Sequence, residues 1–363
     1  PHIAGFFGGN GYLAYETHIW AHTTTLLHFP QKGVGGRLKT LMAKIRVGVV
    51  RGGPGHEYDV SLKTGASVLR GLPENYEGRD VVVMKDGAWH LDGVELNPSK
   101  LPQHVDVVFN ALHGEYGEDG TVQRLFDSLA IPYTGSTSFP SALGMNKVLA
   151  KSAFRHAGLK VPFGETYTVG HGEAEDIAQS AFRRVPSPWV VKPVSRGSSV
   201  GVSLAKSFAE LIEAVKFAFE YAPAIMVEEF IRGREATAAV IDSFRGEHHY
   251  TPPPIQIIKP EHKPFFDYEA KYGGETREIC PGHFTRGESA ALQDAALRAH
   301  KALGLRHYSR SDFIVSPRGL YILESNTLPG LMEESLVPKA LEAVGCTYED
   351  FLDHVIGLAL AGR

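Results

Sequence analysis

Residues 309–330, SRSDFIVSPRGLYILESNTLPG, restrict the fold more than any other stretch of the chain. The apolar runs Phe313-Ile314-Val315 and Leu320-Tyr321-Ile322-Leu323 flank Ser316-Pro317-Arg318-Gly319. That tetrapeptide suits a type I turn with Gly in the left-handed position, a three-residue hairpin loop. With Ser316 opposite Leu320, counting back places Phe313 opposite Leu323, Asp312 opposite Glu324 and Arg310 opposite Asn326. Alternation gives Arg310, Asp312, Glu324 and Asn326 one shared face and turns Ser325 to the other. The flanks are too apolar for an exposed hairpin tip. Two carboxylates facing each other in such a setting repel and desolvate at a cost of several kcal/mol. A divalent cation removes that cost. The candidate ligands Asp312, Glu324 and Asn326 are all oxygen donors, with no His or Cys beside them. Such a set suits Mg²⁺ or Mn²⁺, with phosphate and water completing the octahedron. Arg310, on the same face, is a candidate clamp for a carboxylate or oxyanion.

A second stretch, KPVSRGSSVGV at Lys192–Val202, follows the apolar run Pro188-Trp189-Val190-Val191 and turns extended again at Val200–Leu204. Its lysine precedes the glycines and a strand follows them, unlike a strand-to-helix phosphate loop. The expected geometry is a hairpin lid over phosphates. Gly197 and Gly201 let backbone N–H groups approach phosphate oxygens, Ser198 and Ser199 add hydroxyl donors, and Lys192 supplies a point charge at the strand end. Read without a ligand, the same stretch is a mobile hairpin with an exposed lysine. A phosphate lid and a divalent-cation hairpin more than a hundred residues apart describe an ATP site between two domains.

Between these landmarks, from Lys44 on, strands alternate with helices, which argues an α/β fold with a doubly wound N-terminal part. Strands are expected at Ile45–Val50, Val81–Met84 and Val105–Phe109, and helices at Val60–Leu72, with Asp59 as N-cap, and at Thr121–Leu129. A single helix is expected over Ser141–Ala157, ending at Gly158. Farther on, Phe208–Ala222 and Ser289–Leu303 read as helices and Ala224–Phe230 as a strand. Residues 42–136, 137–230 and 231–363 are the expected N-terminal, central and C-terminal domains. Residues 1–41 lack clear periodicity and a signal-peptide pattern, and Met42 precedes the first strand, so 1–41 read as upstream read-through or a dispensable extension. A net charge of −4 without a basic block excludes a nucleic-acid footprint. No apolar run reaches the ~20 residues that span a bilayer. Two distant cysteines, Cys280 and Cys346, argue against a disulfide framework and fit a reducing, cytoplasmic setting.

The lid, the acidic hairpin and the ending NTLPG…SLVPKAL resemble the ATP-grasp ligases, and within them the D-alanine–D-alanine ligase family. HEYDVSLKTG, ALHGEYGEDGTVQ and DYEAKY resemble that family's three further motifs, so the likeness covers about residues 42–360. It implies a three-domain ATP-grasp fold, ATP and D-alanine as substrates, two Mg²⁺ or Mn²⁺ ions, a homodimer and a role in peptidoglycan precursor synthesis. It also implies roles. Glu57 pairs with the first D-alanine's ammonium, and His113 lies in that pocket. Ser198 joins Glu57 and Tyr272 in a hydrogen-bonded set. Lys147 and Lys192 hold phosphates, with Ser199 beside them, while Glu228 and Glu235 lie where adenine and ribose are held. Lys271 reaches the γ-phosphate. Arg310 and the backbone of Gly330 stabilise the tetrahedral oxyanion, and Ser335 with Leu336 holds the second D-alanine. Asp312, Glu324 and Asn326 carry the metals. Taken without the likeness, Glu57 is an acid favoured by a helix N-terminus, His113 a structural histidine, Lys147 an exposed helix lysine, and Glu228 and Glu235 a solvated strand end.

The intact DYEAKY, with Tyr272, implies an amine acceptor and disfavours D-lactate; D-serine differs from D-alanine by one hydroxyl and is less readily excluded. A position near Met332 departs from the family's usual Thr and bears on the acceptor pocket. Two other classes compete. A dinucleotide-dependent oxidoreductase would use GGPGHE at 52–57, but Tyr58 stands where the third glycine of the fingerprint belongs and the acidic hairpin goes unexplained. A non-catalytic nucleotide binder would need a lost metal ligand, and all three are present.

Overall fold

The computed structural model describes residues 43–259 and 276–362. The apolar run at the start becomes β1 (Ile45–Gly52), buried at its centre because it lies between two strands of a five-stranded sheet. Its neighbours are β2 (Tyr76–Val83) and, after β3 (Trp89–Leu91) and β4 (Val94–Glu95), β5 (Val107–Asn110), both parallel to β1. The order is β4-β3-β2-β1-β5. Helix α1 (Tyr58–Gly71) makes the parallel crossover from β1 to β2, as a parallel pair requires. It packs closely enough that Gly65 lies against the Arg51 side chain. One apolar cluster fills the α1 side of the sheet, around Val47, Val49, Val68 and Phe109; another on the opposite side gathers Val81, Leu101 and Phe126. Phe126 belongs to α2 (Thr121–Ser128).

The single helix expected over 141–157 is two, α3 (Ser138–Met145) and α4 (Lys147–His156). The break is Asn146, whose extended backbone and side chain cap α4 by accepting from Val148 N at 3.1 Å and Leu149 N at 3.2 Å. A short amide that bonds its own backbone competes with helix continuation. The consequence is that Lys147 opens a helix and does not sit mid-face.

The next sheet is antiparallel, in the order β6-β9-β7-β8, from β6 (Gly164–Thr168), β7 (Trp189–Pro193), β8 (Ser203–Ala205) and β9 (Ala224–Glu229). Helices α5 (Ala174–Arg184) and α6 (Phe208–Phe219) bury their apolar faces against it. β7 and β8 form the expected hairpin, Val191 opposite Ser203, with the Gly/Ser loop between them.

A third sheet has the order β13-β12-β10-β14-β15, with β11 on β10. It comprises β10 (Arg234–Asp242), β11 (His249–Tyr250), β12 (Ile255–Ile258), β13 (Arg277–Ile279), β14 (Tyr308–Ser316) and β15 (Gly319–Asn326). Helix α7 (Arg286–Leu303) and α4 cover one face through a cluster that includes Phe154, Leu292, Leu303 and Phe313. The chain closes with α8 (Leu336–Glu342) and α9 (Tyr348–Leu360), the latter packed against the first sheet's core.

The 309–330 hairpin differs from expectation in its turn. Ser316 pairs with Gly319, so the loop holds two residues, Pro317 and Arg318, and not three. The pairing Phe313↔Ile322 follows, and then Leu323 bulges out of register so that Asp312 faces Glu324 and Arg310 faces Asn326. The expected partners meet, but a bulge and not the turn supplies the extra residue. Without it Glu324 would lie opposite Ser311 and point to the other face. Bulges of this kind re-aim a side chain beside a site.

Candidate active site

Two cavities adjoin beside the β14–β15 hairpin. The larger, of about 420 Å³, is lined by Glu57, His113, Ser198, Arg310, Asn326, Gly330 and Ser335. The smaller, of about 170 Å³, is lined by Lys192, Ser199, Glu228, Glu235 and Asp312, with Val190, Ile231, Ile257 and Leu323 as apolar walls. Lys147, Arg196, Glu324 and Leu336 line both, and so mark the junction. Of the residues expected from sequence, Glu57, His113, Ser198, Arg310, Gly330 and Ser335 line the first space, Lys192, Ser199, Glu228 and Glu235 the second, and Lys147 and Leu336 both.

The floor is the β14–β15 hairpin. The Arg310 guanidinium donates twice to Asp312, Nε to Oδ1 and Nη2 to Oδ2, each at 3.0 Å. Asp312 also accepts from Thr237 Oγ1 at 2.6 Å and from Asn326 Nδ2 at 3.2 Å. Burial works to lower the Arg310 pKa, but the charges of Asp312 and Glu324 outweigh it and hold the guanidinium above its ordinary value. Lys147 Nζ stands 3.6 Å from Glu324 and donates to the backbone carbonyl of Arg196 at 2.6 Å. The bulge puts Leu323 and Glu324 side by side on the cavity, an apolar wall next to a carboxylate.

The lid loop crosses above. Ser198 Oγ donates to Glu57 Oε1, and Arg196 forms an ion pair with Glu115 while its Nε donates to Tyr221 O at 2.7 Å. Ser198 and Ser199 take the left-handed conformation, at φ 48° and 59°. Glu57, not Asp59, is the N-cap of α1. Gly114 sits at φ 66°, a conformation that favours glycine, and a Cβ there would displace the Glu57 carboxylate. His113 is buried, with Nε2 2.9 Å from Thr64 Oγ1 and Nδ1 3.1 Å from Leu328 O. Burial alone would lower its pKa; the hydrogen bond and charge of Glu118, with the charge of Glu57, raise it instead.

Beneath the smaller cavity, Glu228 is 2% exposed and its two oxygens meet different lysines. Oε2 lies 2.7 Å from Lys192 Nζ, and Oε1 bonds Lys151. Burial pushes the Glu228 pKa up, and the two lysines more than reverse this. Lys192 is raised: burial lowers it, and Glu228 and Glu324 overcome that. The expected solvated strand end is therefore a buried ion cluster for Glu228. Glu235 accepts from Lys259 Nζ at 2.5 Å. At the far side, Ser335 caps α8 without a side-chain cap bond, and Gly330 lies so close that a Cβ there would be 3.3 Å from Ser335 Oγ. Leu336 packs on Ile255, Ile257 and Ala340.

Lys271 and Tyr272 lie outside the described residues, as do residues 1–41. Lys151, Thr237 and the Arg196–Glu115 pair were not singled out from sequence. Lys151 had a signal, four residues beyond Lys147 on a helix face whose apolar neighbours, Ala150 and Phe154, are buried. Arg196 and Glu115 had none, because nothing local records that the two loops meet.

Residues 92–136 match the profile described as D-ala D-ala ligase N-terminus, and residues 154–357 that described as D-ala D-ala ligase C-terminus. The D-alanine--D-alanine ligase of Syntrophobacter fumaroxidans is 39% identical over 318 residues, 87% of this chain and 98% of that protein. That of Geobacter sulfurreducens is 40% identical over 315 residues, 86% of this chain and 93% of its own length. Among solved structures, the D-alanine--D-alanine ligase of Bacillus anthracis complexed with ATP superposes with a TM-score of 0.73 at 30% identity, over 88% of this chain and 98% of that one. The VanG D-Ala:D-Ser ligase of Enterococcus faecalis superposes at 0.77 and 28% identity, over 87% and 99%. An ATP-grasp architecture with an oxygen-donor hairpin beneath a Gly/Ser lid, matched along nearly the full length of these proteins, places the chain in the D-alanine–D-alanine ligase family.

Proposed function

We propose that this protein joins two molecules of D-alanine at the expense of ATP. The γ-phosphoryl group passes to a carboxylate oxygen of the first D-alanine, releasing ADP and forming an acyl phosphate. The amine of the second attacks the acyl carbon; phosphate leaves with its bridging oxygen, an amine proton is lost, and the dipeptide remains. The carrying observation is the pair of adjoining cavities over one hairpin, with Glu324 and Lys147 at their junction. Phosphoryl transfer asks mainly for positioning and charge neutralisation.

The oxygen-only set Asp312, Glu324 and Asn326 on one buried-side face fits a hard divalent cation, Mg²⁺ or Mn²⁺. Asp312 and Glu324 border the nucleotide cavity, while Glu324 and Asn326 border the amino-acid cavity. Bound there, two such ions would supply charge neutralisation for the triphosphate. Lys147 and Lys192 add fixed positive charge at the junction and the wall, with Ser199 at the same cavity. Glu57 offers a carboxylate to the first substrate's ammonium, with His113 nearby in the same wall. Arg310 and the Gly330 backbone face the carbon that becomes tetrahedral. Ser335 and Leu336 hold the second amino acid. Glu235 accepts from ribose, and Glu228 acts from the wall through Lys192. Lys271 and Tyr272 complete the set. The lid, latched through Ser198 and Glu57, excludes water that would hydrolyse the acyl phosphate.

Three domains with limits at 136 and 230, a homodimer, a cytoplasmic setting and a place in peptidoglycan precursor synthesis belong to the same reading. No helix among the described residues is long and apolar enough to cross a membrane. The likeness to a D-Ala:D-Ser ligase favours D-serine as the second acceptor to try. A coupled phosphate-release assay tests the ligase reading and the choice of second substrate. ATP, Mg²⁺ and D-alanine together should release phosphate and form the dipeptide, and D-lactate should add nothing. No release with D-alanine would overturn the proposal; preferential ligation of D-serine would replace its second substrate.

A further inference from the structure

The Lys151–Glu228–Lys192 cluster sets two ammoniums against one carboxylate. Lys151 projects from α4 and is 1% exposed, and it lines neither cavity among the described residues. Its Nζ bonds one oxygen of Glu228 on β9. The other oxygen holds Lys192 on β7, and Lys192 does line the nucleotide cavity. Lys147, one turn earlier on α4, faces Glu324 and the Arg196 carbonyl. One carboxylate thus serves two buried ammoniums.

We propose that Lys151 is a positioning residue for nucleotide binding: by neutralising Glu228 it leaves the charge of Lys192 available to the triphosphate. This inference rests on the nucleotide reading of the smaller cavity. Without Lys151, Glu228 and Lys192 form a neutral pair, and the cluster no longer presents a positive charge to the cavity although no group touching the ligand has changed. With Lys151 protonated, the cluster carries one positive charge toward the cavity. An anionic ligand arriving at Lys192 favours the protonated form of Lys151, so nucleotide binding and Lys151 protonation reinforce each other. Burial, opposed by Glu228 and assisted by Lys192, brings the Lys151 pKa down to about 7, where such coupling is measurable.

The test is calorimetric binding of MgADP together with steady-state kinetics. Lys151→Met should weaken MgADP binding and raise the KM for ATP about tenfold, with the KM for D-alanine changing less than about twofold. Lys151→Gln can still donate to Glu228 but carries no charge, so it should behave like the Met variant and also serves if that variant does not fold. Lys151→Met combined with Glu228→Gln restores the single uncompensated charge on Lys192 and should recover most of the loss. The affinity ratio of wild type to Lys151→Gln should shrink from pH 6.5 to pH 8.5 as Lys151 loses its proton; the ligand's own titration cancels in that ratio. Full nucleotide affinity in Lys151→Gln, or equal losses in the two substrates' KM values with no recovery in the double variant, would overturn the inference and leave the ligase reading standing. A wild-type protein that does not bind MgADP would overturn both.

Discussion

The β14–β15 hairpin and the 194–202 lid carry the two halves of the proposed chemistry, and they are held in place differently. The hairpin's polar face is fixed by neighbours in its own sheet: Arg310, Thr237 and Asn326 all converge on Asp312. The lid has only local turns of its own, Val200 N to Gly197 O and Val202 N to Ser199 O. Its position depends on long-range contacts, Ser198 with Glu57, Arg196 with Glu115, and Lys147 with the Arg196 carbonyl. The difference teaches that the polar face of the hairpin is held within one sheet, whereas the lid is held by side chains from separate parts of the chain and can be released by changing one of them.

The largest effect should come from the floor. Asp312→Asn keeps the volume and the fold but removes a charge from the oxygen set. It should lower kcat by roughly a hundred- to a thousandfold; because Arg310, Thr237 and Asn326 all donate to Asp312, melting should fall as well, with circular dichroism checking that the variant is folded at the assay temperature. Retained turnover at saturating Mg²⁺ would show that the hairpin is not the cation site. Ser198→Ala should cost about ten- to a hundredfold in kcat/KM for D-alanine, as expected for a lost hydrogen bond to a charged partner. A similar loss in ATP affinity would break the contrast, since it would mean that the lid and the floor act as one.

Asp242, at the end of β10, tests the rigidity of the floor itself. It is bonded by His249 at 2.8 Å and by the His307 backbone at 2.6 Å, and His300 Nε2 lies 3.2 Å away. Burial raises its pKa, and nearby His300, with the bonds from His249 and the His307 backbone, brings it down to about 2. A carboxyl depressed in the folded state stabilises it above the unfolded value and loses that contribution as pH falls through the folded one. About 2 kcal/mol of unfolding free energy should therefore disappear between roughly pH 4 and pH 2. Urea titrations should show that fall in wild type and much less of it in Asp242→Asn.

The smallest effect belongs to the outer lid pair. Arg196 and Glu115 are partly exposed, with 23% and 43% of their side-chain surface accessible, so screening limits the pair to about 1 kcal/mol. Arg196→Glu or Glu115→Arg should each lower kcat/KM about threefold to fivefold. The double exchange should restore most of it, and 0.5 M salt should erase the difference. Failure of the exchange to restore activity would show that Arg196 acts through Tyr221 and not through Glu115.

Read from sequence alone, much was already determined. Alternating strands and helices gave the α/β class, and glycines around serines after a lysine gave the hairpin lid. Period-two alternation gave Arg310, Asp312, Glu324 and Asn326 a common face. These are local properties, set by backbone conformation and the spacing of apolar residues within one or two elements. What the sequence misread was also local but finely balanced: Asn146 caps a helix that propensity would continue, and a two-residue turn with a bulge at Leu323 replaces a three-residue loop. Tertiary structure alone decided the rest. Glu228 reads as a strand-end acid until α4 and β7 bring Lys151 and Lys192 to its two oxygens. Glu115 and Arg196 lie in loops whose meeting no local pattern encodes. Buried charges are fixed by whichever partner the packing delivers, and that partner can be any distance away along the chain.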